Sequence, residues 1–281
     1  MRLRVVLAAL LALTVLAGLG IYLVVRSLSS GLPIHLPVQE CVVNAGGKAS
    51  FEPEQMANAA TIAAVGIRRA VPTEAITVAL ATALQESKLQ NLHGGDRDSI
   101  GLFQQRPSQG WGTADQIADP RYASGRFYTV LLKVKGWQQM TVAQAAQAVQ
   151  KSADGTAYAR WEDKATILAT ALTGDATSAV GCTITDQPAQ RGTAAASALA
   201  EGVAADWGQV RTVSDKGVVG LALAVSGTRV GWQYAHWLVS HAADLNIQRV
   251  RYADQVWTAK AATWSKAGTP ATDHVIAEVY T

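Results

Sequence analysis

Charge is scarce in this chain of 281 residues: Asp, Glu, Lys and Arg together make up 16%, against 49% hydrophobic residues. That balance excludes a disordered polyelectrolyte and a histone-like basic protein. Runs of one sign are also missing. Arg2, Arg4 and Arg26 stand in a first 30 residues without an acid, and the remainder sets 21 bases against 21 acids. Without clustered Lys and Arg to displace counterions, no nucleic-acid partner is expected. Two cysteines in the whole chain exclude a disulfide-dense mini-scaffold and a four-cysteine zinc site.

What is present first is an uncharged apolar run from Val5 to Val25. As a helix rising about 1.5 Å per residue it covers roughly the 30 Å hydrocarbon thickness of a bilayer. Arg2 and Arg4 precede it and only Arg26 follows closely, a bias that keeps the N-terminus cytoplasmic and exports the rest. A cleaved signal peptide is the alternative, but the run exceeds the usual apolar core of about 7 to 15 residues and no small-x-small site follows. The expectation is a cytoplasmic tip and transmembrane anchor over 1–30, a short stalk over 31–40, and the bulk of the chain outside the cell membrane, in the wall. Outside the cytosol two thiols in one domain oxidise, so Cys41 and Cys182 are expected to pair.

Between Phe51 and Leu172 the apolar residues recur at helical spacing with Gly and Pro punctuation, which predicts an all-helical first domain over 41–182. Helices are expected at Pro53–Arg69, Glu74–Leu89 behind a Thr73 cap, Thr113–Ile117, Tyr122–Lys133, Val142–Lys151 after Thr141, and Thr156–Leu172. The polar passage Gln90–Gly112 is too long for an ordinary connection between packed helices, which points to function. A Gly-, Ser-, Thr- and Pro-rich linker over 183–194 leads into a smaller unit, 195–281, where helix and strand patterns alternate. This unit is expected to be α+β.

On the second helix Ile76, Ala79, Ala83 and Glu86 follow +3, +4 and +3 steps, so a carboxyl continues the apolar stripe. A carboxyl at the rim of a dry cleft loses hydration in its charged form and can hold a proton for general acid catalysis. Periodicity alone leaves open an ordinary solvated last-turn glutamate.

Glu86-Ser87, then Gly101-Leu102-Phe103-Gln104, then Ala157-Tyr158-Ala159 resemble, in order and spacing, the ES, GLxQ and AY signatures of the lysozyme-like lytic transglycosylases. The passage ALQESKLQNLHGGDRDSIGLFQQRPSQGWGT resembles a group of exported, membrane-anchored bacterial proteins with this domain. The resemblance covers about Cys41 to Cys182. It implies a cleft for peptidoglycan glycan strands in which Glu86 protonates the oxygen linking N-acetylmuramic acid to N-acetylglucosamine and then acts as base. No second carboxylate is required, because the muramyl N-acetyl group and 6-hydroxyl complete a 1,6-anhydro product. By the same resemblance Ser87, Gly101, Leu102, Phe103, Gln104, Gln105 and Tyr158 bind the substrate: Ser87 and Gln104 orient Glu86 or contact sugar, Gly101 lets backbone approach the glycan, and Tyr158 faces Glu86 across the cleft. Neither cofactor nor metal is implied. Asp96 and Asp98 offer a rival outcome, hydrolysis by a water held on the opposite sugar face, against a role as turn-forming aspartates. Trp111 and Phe103 are candidates for stacking on sugar rings.

The C-terminal unit resembles zinc DD-peptidase-like domains. Gly217, Ala224 and Ile276 stand where that pattern has His, Asp and His, and only Asp273 and His274 are kept. One histidine cannot supply a catalytic zinc site, so the unit is expected to bind a wall peptide or an envelope protein. A noncatalytic wall scaffold that retains the glycan cleft is the rival reading of the whole chain.

Overall fold

The computed structural model describes residues 18–22, 26, 39–152, 154–215 and 217–281. Most of the expected anchor and stalk therefore lie outside the described residues. Among the described residues no helix is long and apolar enough to cross a membrane. Residues 39–281 form one compact unit, separate from residues 1–38.

The unit mixes helix and sheet. It opens with an antiparallel pair, β1 (Glu40–Asn44) and β2 (Lys48–Phe51), which β3 (Val180–Thr183) completes in the order β2-β1-β3. The expectation of an all-helical first domain is therefore corrected. Strands of four or five residues carry too little alternation to be read locally, and β3 pairs with β1 across a separation of 141 residues at the two cysteines. Cys41 lies directly opposite Cys182 across β1 and β3, and the two form a disulfide spanning 141 residues. Replacing both by Ala frees the ends of that loop in the unfolded chain. The expected cost is about 2–4 kcal/mol in a denaturant titration, and reductant is expected to leave the double variant unchanged.

Helix α1 (Pro53–Arg68) starts with Pro at its first turn, and the Gln55 side chain accepts from the Glu52 backbone N–H at 2.8 Å. Helix α2 (Thr73–Ser87) is the centre of the fold. Every residue from Ala75 to Leu84 is buried, as expected of a helix apolar all round. Its N-cap is Pro72, without a side-chain cap. Thr73 is thus the first helical residue, and its expected capping role is corrected. Around α2 pack α4 (Pro120–Leu131), α5 (Val142–Gln150) and α6 (Glu162–Leu172), while the short α3 (Ala114–Ala118) packs on α4. Thr113 and Thr141 cap α3 and α5 in capping boxes closed by Gln116 and Gln144, the local signal by which both starts were readable. The start of the helix expected at Thr156–Leu172 falls instead in a 3-10 segment, Gly155–Trp161, that leads into α6.

After α6 come α7 (Gly192–Trp207), β4 (Gly220–Ala224), α8 (Thr228–Ser240), β5 (Ile247–Thr258) and β6 (Ser265–Val279). The three strands form an antiparallel sheet in the order β4-β6-β5. The passage 183–194 is held against this sheet: Ile184 N–H donates to the Ala259 carbonyl at 2.9 Å and Gly192 N–H to the Tyr280 carbonyl at 2.7 Å. The core runs continuously through both halves, because α8 packs on α1, α6 and β3. His236 of α8, fully buried, accepts from Ala179 N–H at 2.9 Å and through its other ring nitrogen meets the Ala171 carbonyl at 2.7 Å. Burial pushes its pKa down to about 4 despite that carbonyl. It is a neutral bridge between α6 and β3.

Candidate active site

Glu86 lies on the last turn of α2, where a helix enclosed on all sides first meets solvent, and it is half-buried. A helix C-terminus carries negative potential, so a carboxylate there does nothing for the helix. The helix ends because Lys88 and Leu89 both adopt left-handed conformations, with φ of 57° and 63°. Side chains of α1 secure this reversal: Gln55 Nε2 donates to the Lys88 carbonyl and Asn58 Nδ2 to the Leu89 carbonyl, each at 2.8 Å. The Tyr158 hydroxyl, delivered by the 3-10 segment, donates to Glu86 Oε1 at 2.6 Å. Tyr158 is 0% exposed. Burial first, and then the hydrogen bond and charge of Glu86, push its pKa well up, so it keeps its proton and remains a donor at neutral pH. Glu86 Oε2 has no hydrogen-bond partner among the described residues.

The loop after α2 is tied down along its length. Ser87 Oγ donates to the Leu102 carbonyl at 2.8 Å, and Gln150 Nε2 of α5 to the Phe103 carbonyl at 2.7 Å. Ile100 and Gln105 form a short antiparallel bridge, and Phe103 stacks on Phe127 with ring centroids 4.8 Å apart. Gly101 has φ +77°, and a Cβ there would stand 2.7 Å from the Ile117 carbonyl oxygen. The glycine is therefore required by the close approach of α3. Gln104, at φ 47°, turns its amide back onto the Gly101 carbonyl at 3.2 Å.

Glu86 and Tyr158, 72 residues apart in sequence, thus meet directly, with Ser87 buried next to Glu86 in the chain, while the Gln104 amide is turned onto its own loop at Gly101. Of the residues expected to bind glycan, Leu102, Phe103 and Gln105 are 0%, 0% and 1% exposed, which leaves their side chains no surface to offer it. The first two fill the core, and Gln105 Nε2 reaches the Ala123 carbonyl at 3.2 Å. They hold the loop in place instead. Phe103 is likewise withdrawn from any stacking role, whereas Trp111, half-buried, lines a cavity of about 420 Å³ with Gln109, Arg126, Gln150 and Lys151.

Asp98 accepts from Arg106 Nε at 2.6 Å and from Ser108 N–H at 2.8 Å, so each of its carboxylate oxygens is engaged. The Arg106 and Ser108 hydrogen bonds hold it well below the usual carboxylate range. Asp96 has a side chain 92% exposed that, among the described residues, reaches only Arg97, at 3.9 Å. In the C-terminal unit His274 Nδ1 meets Asp273 Oδ1 at 2.6 Å, and Ala224 pairs with His274 across β4 and β6. Among the described residues no three of His, Cys, Asp and Glu converge on a point that could hold a metal ion.

Sequence reasoning missed Gln85, Lys88, Arg160 and Trp161. Gln85 Oε1 accepts from Arg160 Nη2 and Trp161 Nε1, both at 2.8 Å, and Lys88 Nζ lies 4.5 Å from the centre of the Trp161 ring. Their only signal was adjacency to the two motifs. No protein-family model and no curated protein matches this chain.

Proposed function

We propose that the chain cleaves the β-1,4 bond between N-acetylmuramic acid and N-acetylglucosamine in peptidoglycan by a single-glutamate lytic transglycosylase mechanism. The observation that carries the reading is the 2.6 Å contact between the Tyr158 hydroxyl and Glu86 Oε1 where α2 emerges from the core. With Oε1 held by Tyr158, Oε2 is the oxygen left to carry a proton to the glycosidic oxygen. As that proton departs, charge develops on the carboxylate and the Tyr158 hydrogen bond strengthens, so the interaction stabilises the transition state more than the ground state. The same carboxylate then takes the proton of the attacking muramyl 6-hydroxyl, which returns Glu86 to its starting form. Asp98, with both oxygens occupied, is poorly placed to hold a water, which favours the anhydro outcome over hydrolysis. The membrane anchor over residues 5–25 and a binding role for the C-terminal sheet belong to the same proposal.

The test is to incubate the purified full chain with peptidoglycan and weigh the soluble products by mass spectrometry. Products ending in 1,6-anhydromuramic acid support the proposal. Reducing ends indicate a hydrolase, and an absence of products with glycan still bound indicates a scaffold. Tyr158→Phe removes one charge-assisted hydrogen bond worth about 1.5–3 kcal/mol. A fall in kcat of roughly 10- to 100-fold with KM little changed is therefore expected in a dye-release assay.

A further inference from the structure

Beside the Glu86–Tyr158 contact three cations share one indole. Lys88 Nζ lies 4.5 Å from the centre of the Trp161 ring, and Arg160 Cζ and Lys164 Nζ each lie 5.7 Å from it. All three residues are exposed and Trp161 is half-buried. Cation and ring attract one another, but three like charges around one ring repel, and the nearby carboxylates, Glu86 toward Lys88 and Asp154 toward Arg160, act only through space without forming an ion pair. Among the described residues none of the three comes within 4 Å of a carboxylate. Glu162 and Asp163 follow directly in the chain without pairing to them, and Asp154 is engaged by Thr156. Burial, and then the charge of Arg160, lower the Lys88 pKa against the pull of Glu86.

The cluster is also held in position. Arg160 donates through Nε and Nη2 to the neutral Gln85 Oε1 at 3.3 and 2.8 Å, which fixes the guanidinium without discharging it. Lys88 Nζ touches the Leu84 and Gln85 carbonyls at 3.2 and 3.4 Å. Gln85 and Lys88 flank Glu86 on one turn, and Arg160 and Trp161 follow Tyr158 on another, so the patch adjoins the Glu86–Tyr158 contact.

We infer that Lys88, Arg160 and Lys164 form, around Trp161, a binding site for an oxyanion borne by the glycan strand. The group is a carboxylate of the stem peptide or a phosphate of an attached polymer. Fixed guanidinium and ammonium groups suit either. The inference rests on the glycan reading of Glu86.

Full-length Glu86→Gln protein, expected to bind without turnover, is titrated with three strand preparations: intact, freed of stem peptides by an amidase with the lactyl carboxylates so exposed then capped as amides, and freed of phosphodiester polymers by hydrofluoric acid. The comparison is Glu86→Gln with Arg160→Gln and Lys164→Gln added. The parent is expected to bind intact strands about tenfold more tightly than the comparison protein, with the margin shrinking at high salt. Lys164→Arg in place of Lys164→Gln is expected to recover part of it. Loss of the margin with amidase-treated strands identifies stem carboxylates, and loss with acid-treated strands identifies phosphate. Equal binding of intact strands by both proteins, or a margin that survives both treatments, overturns the site while leaving the glycan reading intact. Failure of the parent to bind any preparation overturns both. If the comparison protein does not fold, Glu86→Gln with Lys164→Glu alone gives the same reading, since Lys164 makes no hydrogen bond among the described residues.

Discussion

Glu86→Gln is expected to lower kcat on peptidoglycan by about 10³-fold or more with KM nearly unchanged, measured as release of anhydromuropeptides. The substitution keeps the shape of the side chain and leaves an oxygen to accept from Tyr158, whose hydroxyl contacts Glu86 Oε1 at 2.6 Å. Binding and fold are therefore expected to persist, with thermal unfolding unchanged. What disappears is the proton, needed once as acid and once as base, and general acid–base catalysis contributes about 10²–10⁴-fold. Glu86→Asp separates chemistry from position. Its carboxyl retains a proton but withdraws by one methylene from Tyr158, and a misplacement of about 1 Å costs on the order of 10²-fold. The expected order is wild type, then Asp, then Gln. If Gln cleaves as well as wild type, Glu86 is not the acid and the proposed mechanism is wrong.

The parts of this site that were legible in the sequence are those whose cause is local. The capping boxes at Thr113 and Thr141 sit beside the helices they start, and both helices begin within a residue of the expected place. The stripe through Ile76, Ala79 and Ala83 was legible but carried less than it promised. Ala75 to Leu84 are buried on every side of α2, so no face is distinguished, and what sets Glu86 apart is that the helix surfaces there. The side-chain directions in the 101–105 loop were not legible. They depend on positive φ at Gly101 and Gln104 and on the Gln150 contact 47 residues away, and none of these is encoded in the motif's spelling. The β1–β3 pairing was equally hidden, although the disulfide that spans it was read from compartment and cysteine count.

Asp206→Ala is expected to destabilise the 39–281 unit by about 3–5 kcal/mol, because it leaves the buried Thr61 and Trp237 donors without an acceptor and the half-buried Arg121 without its counter-charge, which lowers Tm by roughly 10 °C. Asp206 is 0% exposed on α7. Its Oδ2 accepts from Thr61 Oγ1 of α1 and from Trp237 Nε1 of α8, both at 2.8 Å. Its Oδ1 lies 2.6 Å from Arg121 Nε of α4, in contact as an ion pair although the N–H is not aligned for a hydrogen bond. His241 Nε2 stands 3.6 Å from Oδ2, and its Nδ1 meets Asp244 at 2.9 Å. One carboxylate thus joins three helices besides its own. Replacing the charge pair together, as Asp206→Leu with Arg121→Met, is expected to recover much of the loss, because apolar substitutes need no counter-charge. If the double variant is as unstable as Asp206→Ala, the hydrogen bonds of Thr61 and Trp237 and not the charge pair are responsible. A pH signature follows as well. Burial opposes charging of His241, but Asp244 and Asp206 outweigh it and its pKa is raised above 6.5. Its stabilisation is therefore complete below about pH 6.5 and lost as pH rises through the raised folded value. That slope is expected to be shallower in Asp206→Ala. The network also reaches the candidate site: Asn58, one turn before Thr61 on α1, holds the Leu89 carbonyl three residues after Glu86. Asp206→Ala is accordingly expected to lower the temperature at which cleavage is lost while sparing kcat in the cold, whereas Glu86→Gln removes kcat at every temperature.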